Sequence, residues 1–303
     1  MPDEVLVEHA DGVTLITINR PEARNAVNRA VSEGVAAALD EFESRRDLTA
    51  AVITGAGGSF CSGMDLKAFV AGETVALEGR GFAGITRRPP RKPVIAAVEG
   101  YALAGGCEIV LACDLVVAAE DARFGIPEVK RGLVAGAGGL LRLPRRIPYA
   151  VAMELALTGD FLQAAQAHRY GLVNRVTEPG RALEGARELA ARIAANGPLA
   201  VAATKEIIVR SADWSADEAF DRQAVIMTPV LQSADAREAR SRSRRSARRC
   251  GGASRQSDSE TRSSSGAGWW SRPGHGRCGR TRRGYGTASR GCRGQGRHRR
   301  PRR

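Results

Sequence analysis

With 303 residues, the chain is long enough for one large domain, and it has no run of 18 apolar residues that would predict a membrane-spanning helix. Of its 46 basic and 33 acidic side chains, 20 arginines and two acids lie in residues 239–303, which therefore account for the net charge of +13. Residues 1–238 hold 26 basic and 31 acidic side chains, so the body has the composition of a mildly acidic domain and not of a polyanion-binding one.

The first predicted elements are a β-hairpin and a helix. Residues 5–8 and 13–19 are rich in β-branched side chains and flank Asp11-Gly12, a pair typical of a tight hairpin turn. Asn28 is a good helix cap, and the apolar residues after it recur at helical spacing. We therefore expect a helix from Asn28 to about Arg46.

Strands and helices then alternate. Residues 50–54, 93–98 and 114–119 are short apolar runs bounded by turn residues, which predicts buried strands. A helix is predicted over residues 105–113, directly after a glycine turn. This alternation, which continues to a last strand near residues 172–177, indicates an α/β core with a parallel or mixed sheet.

The pattern beyond this core is helical. Helices are predicted over residues 181–196, 198–210 and 215–231. Ser215 followed by Glu218 three residues later is a capping-box signature, so we expect the last helix to begin at Ser215.

The chain therefore divides into three predicted regions. Residues 1–196 form the core, and residues 197–238 form a helical region suited to contacts between subunits. Residues 239–303 are rich in arginine, glycine and serine without hydrophobic periodicity, which is typical of a disordered segment.

Two glutamates, Glu108 and Glu128, stand beside glycine turns in otherwise apolar sequence. Glycines at such a turn let the backbone approach a ligand closely, and a helix start exposes unpaired N–H groups. Two carboxyls and two exposed amides, those of Gly105 and Met64, are the groups needed to add water across a double bond next to a carbonyl.

A structural interpretation exists for each residue alone. Glu108 and Glu128 would each be ordinary acids in the first turn of a helix, and the glycines would serve only the backbone. Finding both turns with an acid nearby favours the catalytic interpretation. Asp65 and Asp114 are interpreted as capping residues.

Several motifs in residues 4–238 resemble the enoyl-CoA hydratase/isomerase (crotonase) superfamily. The matching segments lie at residues 19–26 (Asn-Arg-Pro-Glu-Ala-Arg-Asn-Ala), 62–67 (Ser-Gly-Met-Asp-Leu-Lys), 93–102, 105–108 (Gly-Gly-Cys-Glu), 124–128 (Phe-Gly-Ile-Pro-Glu), 136–139 (Gly-Ala-Gly-Gly), 157–159 and 170–174. The resemblance implies an α/β fold with a crotonase-like ββα spiral core and a C-terminal helical region that builds trimers or hexamers.

The resemblance also implies roles for particular residues. The thioester carbonyl of an acyl-CoA would lie between the amides of Met64 and Gly105, with Glu108 activating water and Glu128 exchanging the proton at the α-carbon. The resemblance assigns the coenzyme A contacts to seven residues: Ala23, Arg24, Ser62, Met64, Asp65, Leu66 and Lys67. Lys67 is equally well read as a surface lysine of a helix.

The implied activity is that of an enoyl-CoA hydratase, because both acids are glutamate. A carnitinyl-CoA dehydratase or a Δ3,Δ2-enoyl-CoA isomerase is the alternative within the family. An inactive crotonase-fold protein that binds RNA through residues 239–303 is the alternative from another class. We consider nucleic acid the less favoured partner.

No cofactor is expected beyond the coenzyme A of the substrate, and no metal. The six cysteines do not pair with histidine at metal-ligand spacing, and we read those of the body, Cys61, Cys107 and Cys113, as reduced and buried. The acidic N-terminal segment lacks a signal-peptide pattern, so the cytoplasm is the expected location.

Residues 239–303 depart from the family's usual C-terminal pattern. Synonymous codons can be chosen for residues 239–254 so that one added G makes them read Gly-Pro-Ile-Ala-Phe-Ala-Glu-Lys-Arg-Ala-Pro-Val-Trp-Arg-Gly-Gln, which is similar to the missing family ending. We hypothesise a single-base deletion near codon 238.

Resequencing tests this hypothesis. We expect independent DNA to contain one further base near codon 238, and an uninterrupted frame through codon 303 would contradict the deletion. If the deletion is real, restoring the ending should raise the thermal midpoint or the activity, because the ending would complete the last helix and its subunit contacts.

Overall fold

The computed structural model describes residues 3–234 and 236–238, so residues 239–303 and their predicted properties lie outside the described residues. Eleven strands are present in the described part: β1 (Val5–Ala10), β2 (Val13–Ile18), β3 (Ala50–Gly55), β4 (Ala76–Leu77), β5 (Gly81–Phe82), β6 (Val94–Val98), β7 (Tyr101–Leu103), β8 (Leu115–Ala119), β9 (Arg123–Gly125), β10 (Leu162–Gln163) and β11 (Arg175–Thr177).

The helices of the described residues complete the secondary structure. They are α1 (Arg29–Ser44), α2 (Leu66–Val70), α3 (Gly105–Ala112), α4 (Gly139–Arg146), α5 (Tyr149–Thr158), α6 (Ala164–Arg169), α7 (Ala182–Ala194), α8 (Pro198–Ser211) and α9 (Ala219–Leu231), with 3₁₀ turns at Pro21–Ala23 and Pro127–Arg131.

The main sheet has six strands in the order β1-β2-β3-β6-β8-β11. β1 and β2 pair antiparallel as the predicted hairpin, and every other neighbouring pair in this sheet is parallel. Parallel neighbours need crossover connections, which helices such as α1 and α3 supply. The predicted α/β core with a mixed sheet is confirmed.

The two faces of the main sheet are covered by different helices. Because successive strand residues point to opposite faces, Ile53 lies in the cluster that includes α1, whereas Val52 packs with Ala186 and Ala190 of α7. Two alanines on one face of α7 allow its backbone to approach the sheet closely. The side chain of Asn28 accepts from the N–H of Val31, which confirms the predicted cap of α1.

A second, three-stranded sheet positions the segments that carry the two glutamates. Its order is β10-β9-β7, and β7 pairs parallel with β9. β7 leads directly into α3, and β9 leads into the 3₁₀ turn Pro127–Arg131. The parallel pairing therefore brings the starts of both helical segments to the same edge of the sheet.

The C-terminal helices contact the core through few residues. Lys205 of α8 donates to a carboxylate oxygen of Asp114 (2.6 Å) and to the carbonyl of Lys92 (3.0 Å). Asp114 also accepts from the N–H of Val94 (2.8 Å), so its predicted role as a helix cap is wrong. It links two strands to α8 instead.

The start of the last helix also differs from the prediction. α9 begins at Ala219, and Ser215 lies in a turn in which its carbonyl accepts from the N–H groups of Glu218 and Ala219. The predicted capping box at Ser215 and Glu218 is therefore wrong, because the backbone turn satisfies these groups first. None of the helices in the described residues is long and apolar enough to cross a bilayer.

Candidate active site

An open cleft of about 1560 Å³ runs along one side of the main body. This volume exceeds the range of about 300–1,000 Å³ that is usual for small-ligand pockets, so the cleft suits a large ligand. Every residue that the sequence singled out for the site lines it: Ala23, Arg24, Ser62, Met64, Asp65, Leu66, Lys67, Gly105, Glu108 and Glu128.

Glu108 lies in the first turn of α3 and is 3% exposed. One carboxylate oxygen, Oε1, accepts from the N–H groups of Ala137 (2.7 Å) and Gly139 (2.8 Å). A Cβ on Gly139 would lie 3.0 Å from Cγ of Glu108, so glycine makes this close approach possible. The two bonds fix the carboxyl while its second oxygen, Oε2, stays available to a ligand.

Glu128 enters the cleft from the 3₁₀ turn Pro127–Arg131. Its Oε2 atom is buried and has no protein hydrogen-bond partner. A buried carboxyl oxygen without a partner costs free energy, so such an atom is expected where a ligand or substrate will meet it. The fixed carboxyl of Glu108 and the unpaired Oε2 of Glu128 are both typical of groups that transfer protons.

The environment raises the pKa of both carboxyls. Burial is the largest cause for Glu108; the amides of Gly139 and Ala137 and the charge of Arg142 oppose the increase, whereas the charge of Glu128 adds to it. Burial also raises the pKa of Glu128, and the charge of Arg131 opposes it. A carboxyl with a raised pKa transfers protons better near neutral pH than an ordinary surface acid does.

Two backbone N–H groups face the same cleft without a protein acceptor. Met64 forms an isolated parallel bridge with Val27. In this bridge the N–H of Val27 donates to the carbonyl of Gly63, and the N–H of Asp65 donates to the carbonyl of Val27. The N–H of Met64 therefore points away from Val27. Gly105 is the first residue of α3, and its N–H has no acceptor within the helix. Among the described residues, neither group donates to a protein atom.

The turns that carry these two amides are in contact. A Cβ on Gly63, which has φ +102°, would lie 2.9 Å from Cβ of Ala104 and 3.2 Å from the N of Gly105. Ala104 itself has φ 51° and ψ −126°, a strained conformation for a residue with a side chain. The N–H of Ala104 donates to the carbonyl of Gly125 (2.8 Å), which holds this strained turn in place.

The reason for glycine at position 105 differs from the sequence interpretation. A Cβ at Gly105 would lie 2.5 Å from two ring carbons of Phe82, so the glycine makes room for this ring rather than for a ligand. Similarly, a Cβ at Gly106 would lie 2.2 Å from the carbonyl oxygen of Cys61. Both glycines allow neighbouring protein segments to pack against the start of α3.

The side of the cleft assigned to coenzyme A is held by polar contacts. Arg20 donates to a carboxylate oxygen of Asp65 (2.9 Å) and to the carbonyl of Ala26 (2.6 Å). Asp65 also accepts from the N–H groups of Lys67 and Ala68, so its predicted capping role is confirmed. Its carboxylate is thus occupied by protein groups, whereas Arg24 and Lys67 form no ion pair within the described chain.

Sequence reasoning missed the basic groups on a further wall of the cleft, formed by lining residues within 82–87 and 131–145. Arg87, Arg131 and Arg145 line the cleft and form no ion pair with any described residue. Arg142 lies on the same wall and donates to the carbonyls of Thr86 and Ala137. No motif or spacing around these arginines predicts that they lie in the cleft, because their placement depends on the tertiary fold.

The cysteines of the body take no part in the cleft. Cys61, Cys107 and Cys113 are free and buried, and burial raises the pKa of each thiol to about 12, so all three stay protonated. In the described part of the chain, no three His, Cys, Asp or Glu side chains are grouped so that they could share a metal ion.

Comparisons with known proteins agree on a family. The family model described as enoyl-CoA hydratase/isomerase matches residues 8–246. The chain is 46% identical to the mevalonyl-coenzyme A hydratase of Aspergillus fumigatus over 198 residues, which is 64% of this chain and 73% of that protein. It is 44% identical to the carnitinyl-CoA dehydratase of Salmonella arizonae over 209 residues, 68% of this chain and 80% of that one.

Solved structures agree with the fold. A crystal structure of an enoyl-CoA hydratase from Mycobacterium tuberculosis H37Rv superposes with a TM-score of 0.77 and 64% sequence identity, covering 78% of this chain and 94% of that one. This similarity confirms the predicted crotonase-like fold.

Proposed function

The chain belongs to the enoyl-CoA hydratase/isomerase family, its activity is of the enoyl-CoA hydratase type, and we propose that Glu108 and Glu128 are its acid–base pair. The reaction adds water reversibly across the 2,3 double bond of an enoyl-CoA thioester, which makes the enzyme a hydro-lyase. One observation carries the assignment: a buried carboxyl, that of Glu108, and a half-buried one, that of Glu128, line the same cleft as two backbone N–H groups that have no protein acceptor.

Each group has a defined task in the proposed mechanism. Glu108 accepts a proton from water, whose oxygen forms a bond to the β-carbon as the double-bond electrons move toward the thioester carbonyl. The N–H groups of Met64 and Gly105 stabilise the enolate oxygen that results. Glu128 then gives a proton to the α-carbon, and the two carboxyls return to their starting states through solvent.

The pair also discriminates between reactions within the family. A Δ3,Δ2-isomerase moves one proton between two carbons and needs no base for water. In this cleft, Glu108 is fixed by two amides with one oxygen left over, which suits a water molecule. Hydration is therefore the reaction that uses both carboxyls, and the test is formation of the 3-hydroxyacyl-CoA product together with loss of the enoyl thioester absorbance.

Coenzyme A is proposed to bind as part of the substrate, with no further cofactor. The wall that supports this proposal is formed by Ala23, Arg24, Ser62, Leu66 and Lys67. Arg24 and Lys67 carry positive charges without an ion pair in the described chain, and such charges suit phosphates. With coenzyme A on this wall, the acyl group extends toward the wall formed by residues 82–87 and 131–145.

The charge of that second wall favours a neutral or anionic acyl group over a cationic one. Arg87 and Arg145 form no ion pair with a described residue, and Arg131 acts only at longer range, on the carboxyl of Glu128. A quaternary ammonium is stabilised by aromatic rings or acids, and these arginines repel it. Phe69 and Phe82 are the aromatic side chains among the described residues of the lining. Carnitinyl-CoA dehydration, the main alternative, requires the cleft to accept a trimethylammonium group.

This difference can be measured. We expect kcat/KM for crotonobetainyl-CoA to be at least about tenfold below that for crotonyl-CoA, because like charges repel across the wall. In the Arg87→Gln/Arg145→Gln double variant, the kcat/KM values for crotonobetainyl-CoA and crotonyl-CoA should become more nearly equal. A wild-type preference for crotonobetainyl-CoA would instead make the enzyme a carnitinyl-CoA dehydratase.

A homotrimer or hexamer and a cytoplasmic location are proposed with the activity. α8 and α9 contain no buried residue in the described chain and expose Leu199, Ile208, Val209, Phe220 and Val225, which supports a subunit contact through these helices. The free buried thiols of the body support a reducing compartment. RNA binding is not proposed, because the basic residues that suggested it lie outside the described chain.

A further inference from the structure

We propose that Arg142 is a positioning residue for the hydration reaction, which fixes the loop that holds Glu108 and supplies the positive charge facing that carboxyl. This inference rests on the proposed function, because it assigns Arg142 to the orientation of the water-activating base. Arg142 lies in the first turn of α4, is half-buried, and lines the cleft on the acyl side.

The guanidinium of Arg142 joins two segments of the acyl wall. Nη2 donates to the carbonyl of Thr86, and Nη1 lies 3.4 Å from the carbonyl oxygen of Ala137. Thr86 follows the β4–β5 hairpin, 56 residues before Arg142 in the sequence. A planar group with donors in a fixed fork is suited to bridging two carbonyls in this way.

The bridged loop is the one that binds Glu108. The N–H groups of Ala137 and Gly139 donate to Oε1 of Glu108, and the carbonyl of Ala137 accepts from Arg142. Gly138 lies between them with φ +98°, and a Cβ there would lie 2.2 Å from Nη1 of Arg142. The glycine-rich turn at residues 136–139 is therefore shaped on one side by Glu108 and on the other by Arg142.

The charges around Glu108 give Arg142 a second effect. The charged groups that act on Glu108 are Glu128, from the 3₁₀ turn, and Arg142, from α4. Arg142 forms no ion pair with an acid in the described chain and acts directly on Glu108 through its charge alone, whereas its neighbour Arg146 donates to the carbonyls of Cys113 and Asp114. The positive charge of Arg142 lowers the pKa of Glu108 against the larger effect of burial, and so favours the ionised base.

Three variants test the proposal through the pH dependence of crotonyl-CoA hydration. For Arg142→Met we expect kcat/KM to fall on the order of 10–100-fold, as for a base displaced by about 1 Å. The acid limb of its pH profile should move to higher pH, because Glu108 without this charge is protonated up to a higher pH. Arg142→Lys keeps the charge but not the fork, so its acid limb should stay at the wild-type position while kcat/KM falls less.

Arg146→Met is the matched control. Arg146 lies on the same helix, is equally bonded to two carbonyls and does not line the cleft, so its loss should lower the thermal midpoint without moving the acid limb. An Arg142→Met profile with a wild-type acid limb would overturn the proposal, as would equal shifts for the Met and Lys variants. An inactive wild-type enzyme would instead contradict the proposed function.

Discussion

Glu108→Gln lowers kcat for crotonyl-CoA hydration by on the order of 10²–10⁴-fold, the usual contribution of a general base. The amide oxygen of glutamine can still accept from the N–H groups of Ala137 and Gly139, so the side chain keeps its place. What it loses is the ability to take a proton from water. Loss of enoyl thioester absorbance measures the rate, and Glu120→Gln, an exposed acid outside the cleft, should retain wild-type activity.

Glu128→Gln should have an effect of similar size, and the double variant should lose little more than either single one. Groups that act in one proton-transfer sequence are not additive, because the second is of little use once the first is gone. A double variant whose loss equals the product of the two single losses would mean that the carboxyls act independently, contrary to the proposed mechanism.

The same variants should be at least as stable as the wild type at neutral pH. Burial raises the pKa of both glutamates, so the folded chain binds more protons than the unfolded chain between the ordinary pKa and the raised one. The contribution of these two carboxyls to the free energy of unfolding therefore falls as pH rises through that window. A glutamine stays neutral, so the variant does not lose this stability. Thermal midpoints across pH separate this catalytic defect from misfolding.

Replacing the amide N–H of Gly105 by an ester oxygen lowers kcat by on the order of 10²–10³-fold, the usual effect of removing one oxyanion donor. Glycolic acid at position 105 makes this change without adding a Cβ, which would lie 2.5 Å from the ring of Phe82. The N–H of Gly105 has no protein acceptor among the described residues, so the ester removes no hydrogen bond that this group donates, and the carbonyl of Ala104 still accepts from the N–H of Glu108 (3.1 Å).

The control for this experiment is the same ester at Gly58. This residue is exposed, has φ +76° and has no atom within 4 Å of the position of a Cβ, so activity should be unchanged. The oxyanion assignment requires the ester at Gly105 to reduce kcat more than it raises KM. A change confined to KM would indicate that the amide contacts the substrate without stabilising the transition state.

The larger elements of the fold could be predicted because their patterns are local. The strands β1, β2, β3, β6 and β8 are apolar runs bounded by turn residues, and α1 has both a cap and a helical apolar face. The second sheet was missed because its strands have only two or three residues, too few for an alternating pattern. α4 was missed because Pro144 lies inside it, and α5 (YAVAMELALT) was missed because it is apolar almost throughout and therefore has no helical apolar face.

The family and its activity could be identified because the motifs are specific, and the comparisons confirm both. The contacts that hold the site residues in place could not be predicted from the sequence. Ala137 and Gly139 bind Glu108 from about 30 residues away, and Arg142 contacts Thr86, 56 residues earlier in the sequence, within one wall of the cleft. Such pairs depend on tertiary placement, which neither periodicity nor turn chemistry encodes. The same holds for Gly105, whose glycine is explained by Phe82.

A crystal structure of the enzyme with a bound acyl-CoA is the most direct test of the central claim. We expect the thioester oxygen to lie about 2.7–3.1 Å from the N atoms of both Met64 and Gly105, with the carboxyls of Glu108 and Glu128 within reach of the acyl β- and α-carbons. A thioester bound outside these two amides, or an acyl group out of reach of either carboxyl, would contradict the mechanism.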